Sequence, residues 1–206
     1  LLFGLVEGLL VTFVFKKSKF DWGYLPTAIG DLLSSAVVSR ILQNGLKYFL
    51  IAAAWPYRLQ TIEMNIWWKW ALLLIGADFL FYVMHRCAHR VPIWWAHHSV
   101  HHTPNRLSLL NADINGVTTP ITGLTIFFAP LVVLGFPPAA VFNVVLFIMA
   151  YQTSVHLEWF PKLGVVDRIL VTPSNHRLHH AVHEKFINAN FGGVTVLYDH
   201  IFGTFK

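Results

Sequence analysis

The residue type that stands out in this chain is histidine. There are twelve, against ten aspartates and glutamates together, and six of the twelve fall between His85 and His102. They are ordered. HRCAH places His85 and His89 four apart, about 40° from one another on one helix face. HSVHH places His98, His101 and His102 at i, i+3 and i+4, and HRLHH repeats that spacing at His176, His179 and His180. His156 stands alone between the last two boxes, at the end of an apolar run. Nine imidazoles can thus converge from four short segments. Neutral imidazole binds iron, zinc, copper and nickel well, and helical spacing lets one helix offer two or three nitrogens to the same site. Nine ligands exceed what a single tetrahedral ion takes, so two metal ions are implied.

Other chemistries find no support in the sequence. None of the four glutamates (Glu7, Glu63, Glu158, Glu184) has a histidine three residues on, as carboxylate-bridged di-iron bundles require. No HExxH, GxSxG, P-loop or GxGxxG is present. The single cysteine, Cys87, excludes an internal disulfide and any multi-cysteine metal site, and it points away from the HxxxH face. His97, His183 and His200 fit no box and are read as non-ligands. A ligand histidine needs an acceptor for its other ring N–H. Asp78, two helical turns before His85, is the first candidate, because an acid within an apolar span is functional by default. Asp199 is the second. Asn175 and Gln152 are weighed as extra ligands or hydrogen-bond partners, behind the residues already named. Trp94 and Trp95 read as interfacial anchors.

The elements that must position these groups are apolar. Of 206 residues, 55% are hydrophobic and only 12% charged, too few to coat a soluble sphere of this size. Ile66 to Met84 is long enough to span a bilayer, opened by the belt of Trp67, Trp68 and Trp70 with Lys69 snorkelling among them. Thr119 to His156 is broken by Gly135-Phe136-Pro137-Pro138 and reads as a hairpin of two spans. Leu1 to Phe15 reads as the end of an earlier span, in a chain clipped at its start. Ala28 to Trp55 is interrupted by Asp31, Arg40, Gln43, Asn44 and Lys47, and either spans or lies in the interface.

The expected fold is all-α, a multi-pass transmembrane helical bundle with a cytosolic histidine-rich helical cap. Residues 1–65 supply N-terminal transmembrane or interfacial segments and residues 66–206 the histidine-box domain. The net charge of +5 has no basic stripe suited to nucleic acid. With one crossing in Ala28 to Trp55, Lys16, Lys17 and Lys19 share a side with the boxes and most other Lys and Arg. Only Arg58 stands clearly opposite. The positive-inside rule then places the histidines on the cytoplasmic face, of a bacterial inner membrane or the endoplasmic reticulum.

The three boxes, followed by Asn190-Phe191-Gly192-Gly193 and Tyr198-Asp199-His200-Ile201-Phe202-Gly203-Thr204, resemble the fatty acid hydroxylase/sterol desaturase superfamily over about Gly76 to Phe205. Ala77-Asp78-Phe79-Leu80-Phe81-Tyr82 before the first box, and Gln152 to His156 before Thr172-Pro173-Ser174, most resemble its alkylglycerol monooxygenase-like and bacterial sterol desaturase-like branch. The resemblance implies a membrane enzyme with two iron ions held by His85, His89, His98, His101, His102, His156, His176, His179 and His180. Zinc is expected to substitute in recombinant material. It implies O2 and two electrons used to hydroxylate or desaturate a sterol, fatty acyl or alkyl lipid. The electron donor would be separate (a b-type cytochrome, a ferredoxin with its reductase, or a pterin), since no such segment is fused here. The chain departs from the family at Tyr198, where Trp is common, and at Asp113-Ile114-Asn115, where many members carry Arg. The family's usual continuation is expected beyond Lys206. A non-catalytic metal- or lipid-binding protein and a carotenoid hydroxylase-type enzyme stay open as alternatives.

Overall fold

A computed structural model describes residues 1–15, 20–37, 40–112, 114 and 124–206, with only the backbone given for 35–37 and 40–44. Lys16, Lys17, Lys19, Asp113 and Asn115, used above for sidedness and family comparison, lie outside the described residues. The helices run α1 Leu2–Leu9, α2 Leu25–Val37, α3 Arg40–Ala52, α4 Trp67–Arg90, α5 Pro92–His101, α6 Ala129–Val133, α7 Pro138–Ser154, α8 Pro173–His179 and α9 Leu197–Ile201. A π-helical turn, Leu10–Phe15, prolongs α1, and a 3-10 segment, Leu124–Phe128, leads into α6. No strand occurs among the described residues. An isolated antiparallel bridge joins Leu170 to Thr195. The all-α expectation holds for them.

The longest helix, α4, carries the first box. It does not stop at Met84, where the apolar run ends, but continues through His85 and His89 to Arg90. Leu73, Ala77, Phe81 and His85, four apart, are all buried, so one stripe begins as core and ends as site. The stripe packs against Phe128, Leu131 and Val132 and against Val141, Val144, Val145 and Ile148 of α7. Prolines stand at helix starts, with Pro92, Pro130, Pro138 and Pro173 in the first turns of α5, α6, α7 and α8, where a missing N–H costs nothing.

The hairpin turn falls where Gly135 to Pro138 predicts it. Gly135 has φ +111, and a Cβ there would meet the Gln60 carbonyl oxygen at 2.5 Å, because the turn packs on the 59–62 segment. Among the described residues neither arm by itself meets the length of a clear membrane span. The seventeen residues of α7 rise about 25 Å against a hydrocarbon core of about 30 Å, and residues 119–123 lie outside the described residues. The Ala28 to Trp55 stretch is divided between α2 and α3. Among the described residues one helix, α4, is long and apolar enough to cross a membrane.

Candidate metal centre

All nine box-associated histidines come together, and they divide into two sets. His85, His89, His98, His102 and His179 form one; His101, His156, His176 and His180 form the other. Within each set the potential ligand nitrogens lie within 4.8 Å of one another. In the first, His98 Nε2 lies 3.1 Å from His85 Nε2 and 3.2 Å from His102 Nε2. In the second, Nε2 atoms run from His101 to His156 at 3.2 Å, then to His176 and on to His180 at 3.0 Å each. The sets adjoin: the rings of His102 and His180 stack with centroids 4.2 Å apart. His97, His183 and His200 lie outside both.

The outer ring nitrogens decide what the inner ones can do. A carbonyl oxygen only accepts, so each ring nitrogen facing one carries the proton. His85 Nδ1–H donates to Phe191 O at 3.2 Å, His156 Nδ1–H to Gln152 O at 2.8 Å and His179 Nδ1–H to Ala189 O at 2.8 Å. Their Nε2 atoms are left as lone pairs. The Nε2 atoms of His89 and His179 are buried without a hydrogen-bond partner. Facing lone pairs in a buried pocket repel unless a cation lies among them, so the residues present fit two imidazole-bound metal ions. Burial, reinforced by neighbouring imidazoles, also disfavours the protonated form of His98, His101, His102, His176 and His180. His179 is pushed down to about 4 by burial, against the pull of its bond to Ala189.

The aspartates act one step further out than expected. Asp78 accepts no imidazole N–H among these bonds; main-chain carbonyls take that role. Its carboxylate accepts from Val194 N at 2.7 Å, Thr195 N at 3.1 Å and Thr195 Oγ1 at 2.6 Å. Asp199 accepts from Phe191 N and Gly192 N at 2.8 Å each and from Thr204 Oγ1 at 2.7 Å. The two carboxylates grip the 191–195 segment from either side, and that segment carries the carbonyl that orients His85. Thr204, the last residue of the closing motif, in turn accepts from Tyr82 Oη at 3.0 Å. Tyr198, the departure from the family pattern, donates to Ile75 O at 2.9 Å and packs on Phe79.

Asn175 and Gln152 are held away from ligation. Asn175 Oδ1 accepts from Thr172 N at 3.1 Å in a box that starts α8, and its Nδ2 donates to Asp167 O. Gln152 Nε2 donates to the carbonyls of Gly192 and Gly193. Trp95, read as an anchor, lies with its ring centroid 5.2 Å from that of His89 and 5.7 Å from that of His102. Trp94 packs on Phe127. Buried Glu7 accepts from Leu109 N at 2.6 Å and Trp159 Nε1 at 3.0 Å, tying α1 to the segments that follow His102 and His156. Three features escaped the sequence: the orienting carbonyls of Ala189 and Phe191, which any residue could supply; the use made of Glu7; and Lys47, which reads only as a break in an apolar run.

A cavity of about 230 Å3 opens onto both sets, at His85 and His98 of the first and His101, His156 and His176 of the second. Its other walls are mainly apolar, with Phe81, Met84, Phe128, Phe142, Leu146 and Met149 among them. A mainly apolar cavity lined by residues of two imidazole clusters defines a class of site: an all-helical pocket shaped for an apolar ligand beside groups able to bind metal.

By the match of residues 70–204 to its family model, the chain belongs to the fatty acid hydroxylase family. It is similar to alkylglycerol monooxygenase from Homo sapiens, 39% identical over 151 residues that cover 73% of this chain and 33% of that protein. The Danio rerio alkylglycerol monooxygenase is 33% identical over 84% of this chain and 39% of its own length. An ornithine lipid hydroxylase from Rhizobium tropici is 29% identical over 88% of this chain and 52% of its own. The chain thus spans from a third to about half of the length of these relatives. No solved structure matches it significantly.

Proposed function

We propose that the nine histidines hold two iron ions and that the protein hydroxylates a membrane lipid. The overall reaction takes a lipid C–H, O2, two electrons and two protons to the lipid alcohol and water. The observation that carries the reading is the pair of imidazole sets, with the Nε2 atoms of His89 and His179 buried and unpartnered, beside a mainly apolar cavity. Bound iron would supply the power to activate O2 and take hydrogen from an unactivated C–H bond. The chain's own residues do the rest. His85, His156 and His179 are held in one tautomer by carbonyls, so their Nε2 atoms stay available. Asp78 and Asp199 keep the 191–195 segment from moving those carbonyls. Phe81, Phe128, Phe142 and Leu146 admit an apolar chain and exclude water from the reacting end.

The names of the relatives, a monooxygenase and a lipid hydroxylase, favour hydroxylation over desaturation. We further propose that the chain sits in the bilayer with more than the α4 crossing, and that the box side faces the cytoplasm. Exposed Trp67, Ile75 and Phe147 support a lipid-facing surface. A separate protein or pterin would bring the electrons.

The test is lipid mass spectrometry on cells expressing the protein, followed by reconstitution with a supplied reductant under O2 and under argon. An oxygen-labelled lipid alcohol under labelled O2, and none under argon, is the expected result. A product that forms equally under argon overturns the oxygenase reading.

A further inference from the structure

The cavity wall holds one cationic side chain that the two histidine sets do not account for. Lys47 reaches it from α3, half-buried, and His97, buried and next in the chain to His98, lines the same space. Among the described residues nothing accepts a hydrogen bond from Lys47 Nζ, and their one ion pair is Arg106 with Glu158, on another side of the fold. An ammonium group has three donors and no acceptor. Among the described residues its amine therefore has no acceptor on this mainly apolar wall, and a ligand could supply one.

We infer that Lys47 is a specificity-determining residue: it holds an anionic oxygen group, a carboxylate or a phosphate, on the head of the lipid that enters the cavity. This rests on the lipid-hydroxylase reading and narrows its substrate class. The head lies beside His97 and the tail extends along Phe128, Phe142 and Leu146. Which carbon is presented to the histidines is then set by the point along the cavity at which the amine holds the head. Arg at this position would keep the preference; an isosteric apolar side chain would remove it.

The experiment measures binding, so it needs no turnover. Metal-loaded full chain in nanodiscs is titrated with dodecyl phosphate, dodecanoate, dodecanol and dodecylamine, each displacing a fluorescent alkyl probe, with metal content determined in parallel. The parent is expected to prefer one or both anions over dodecanol by about tenfold, the worth of one charged hydrogen bond. The phosphate and carboxylate arms separate the two head chemistries. Lys47→Met should lose the preference and Lys47→Arg keep it, both with the parent's metal content. A parent that binds all four heads alike, or a Lys47→Met chain that still prefers anions, overturns the inference. If Lys47→Met does not fold, the parent's preference and its retention in Lys47→Arg against loss in Lys47→Gln decide the matter. A protein with the head preference and no oxygenase activity overturns the functional reading alone.

Discussion

His98 and His102 face one set of nitrogens while His101, between them, faces the other; His176 and His180 likewise leave His179 to the opposite set. The helix explains the partition. Residues i and i+4 differ by about 40° and i and i+3 by about 60° in the other sense, so i+3 and i+4 diverge by about 100°. Each HxxHH box therefore serves both sites, and single substitutions should subtract ions one at a time. His101→Ala and His179→Ala are each expected to cut bound metal from two ions per chain to one, with turnover down by more than about a hundredfold, beyond the effect of losing an outer partner. His97→Ala should keep both ions. Elemental analysis after anaerobic iron loading is the check, and two ions retained in His101→Ala would refute the partition. Asp199 is the corresponding outer case. Asp199→Ala frees the N–H groups of Phe191 and Gly192, and should weaken metal affinity about ten- to a hundredfold through the loosened His85, as read by competition with a chromogenic chelator.

Between residue and fold stands the 191–195 segment, the element that couples α4 to the site. It is clamped by Asp78 from α4, by Asp199 from α9 and by Gln152 from α7. Such a close approach requires glycine. A Cβ on Gly193 would lie 2.6 Å from Asp78 Oδ1 and 2.9 Å from Phe81 Cδ1, both of them buried and unable to yield freely. Gly193→Ala is expected to cost about 1–3 kcal/mol of stability, the range for overpacking in a filled core, and to lower metal content through the displaced Phe191 carbonyl. Thermal unfolding of metal-loaded protein measures the first and elemental analysis the second. Unchanged values for both would show that the segment moves without disturbing the site.

For the molecule as a whole, the metal ions and the fold should depend on one another. The histidines come from α4, α5, α8 and the end of α7, so ions placed among them would link four segments that no disulfide joins. Stripping the metal leaves the lone pairs of His89 and His179 buried and unpartnered. Ligand that binds only the native state at a hundred times its Kd adds about 2.7 kcal/mol. For a chain of this size that corresponds to a fall in Tm of roughly 5–10 °C on chelation, reversed by ferrous iron or zinc. A Tm indifferent to chelator, in protein whose metal has been shown to leave, would mean that the sets close up without ions.

What the sequence determined by itself was local: which histidines belong together, that α4 is apolar, and where Gly135 to Pro138 turns the chain. Each rests on periodicity or on backbone restriction within a few residues, which the order of amino acids expresses directly. The same apolar pattern is silent on length. An apolar run marks what avoids water without marking where a helix stops, which is why α4 extends past Met84 through the first box. Tertiary structure alone decided how the boxes divide between two sets, that carbonyls rather than Asp78 orient the imidazoles, and that Lys47 lines the cavity. Those facts depend on segments up to about a hundred residues apart meeting in space, and on main-chain atoms that every residue carries alike, so no residue type announces them.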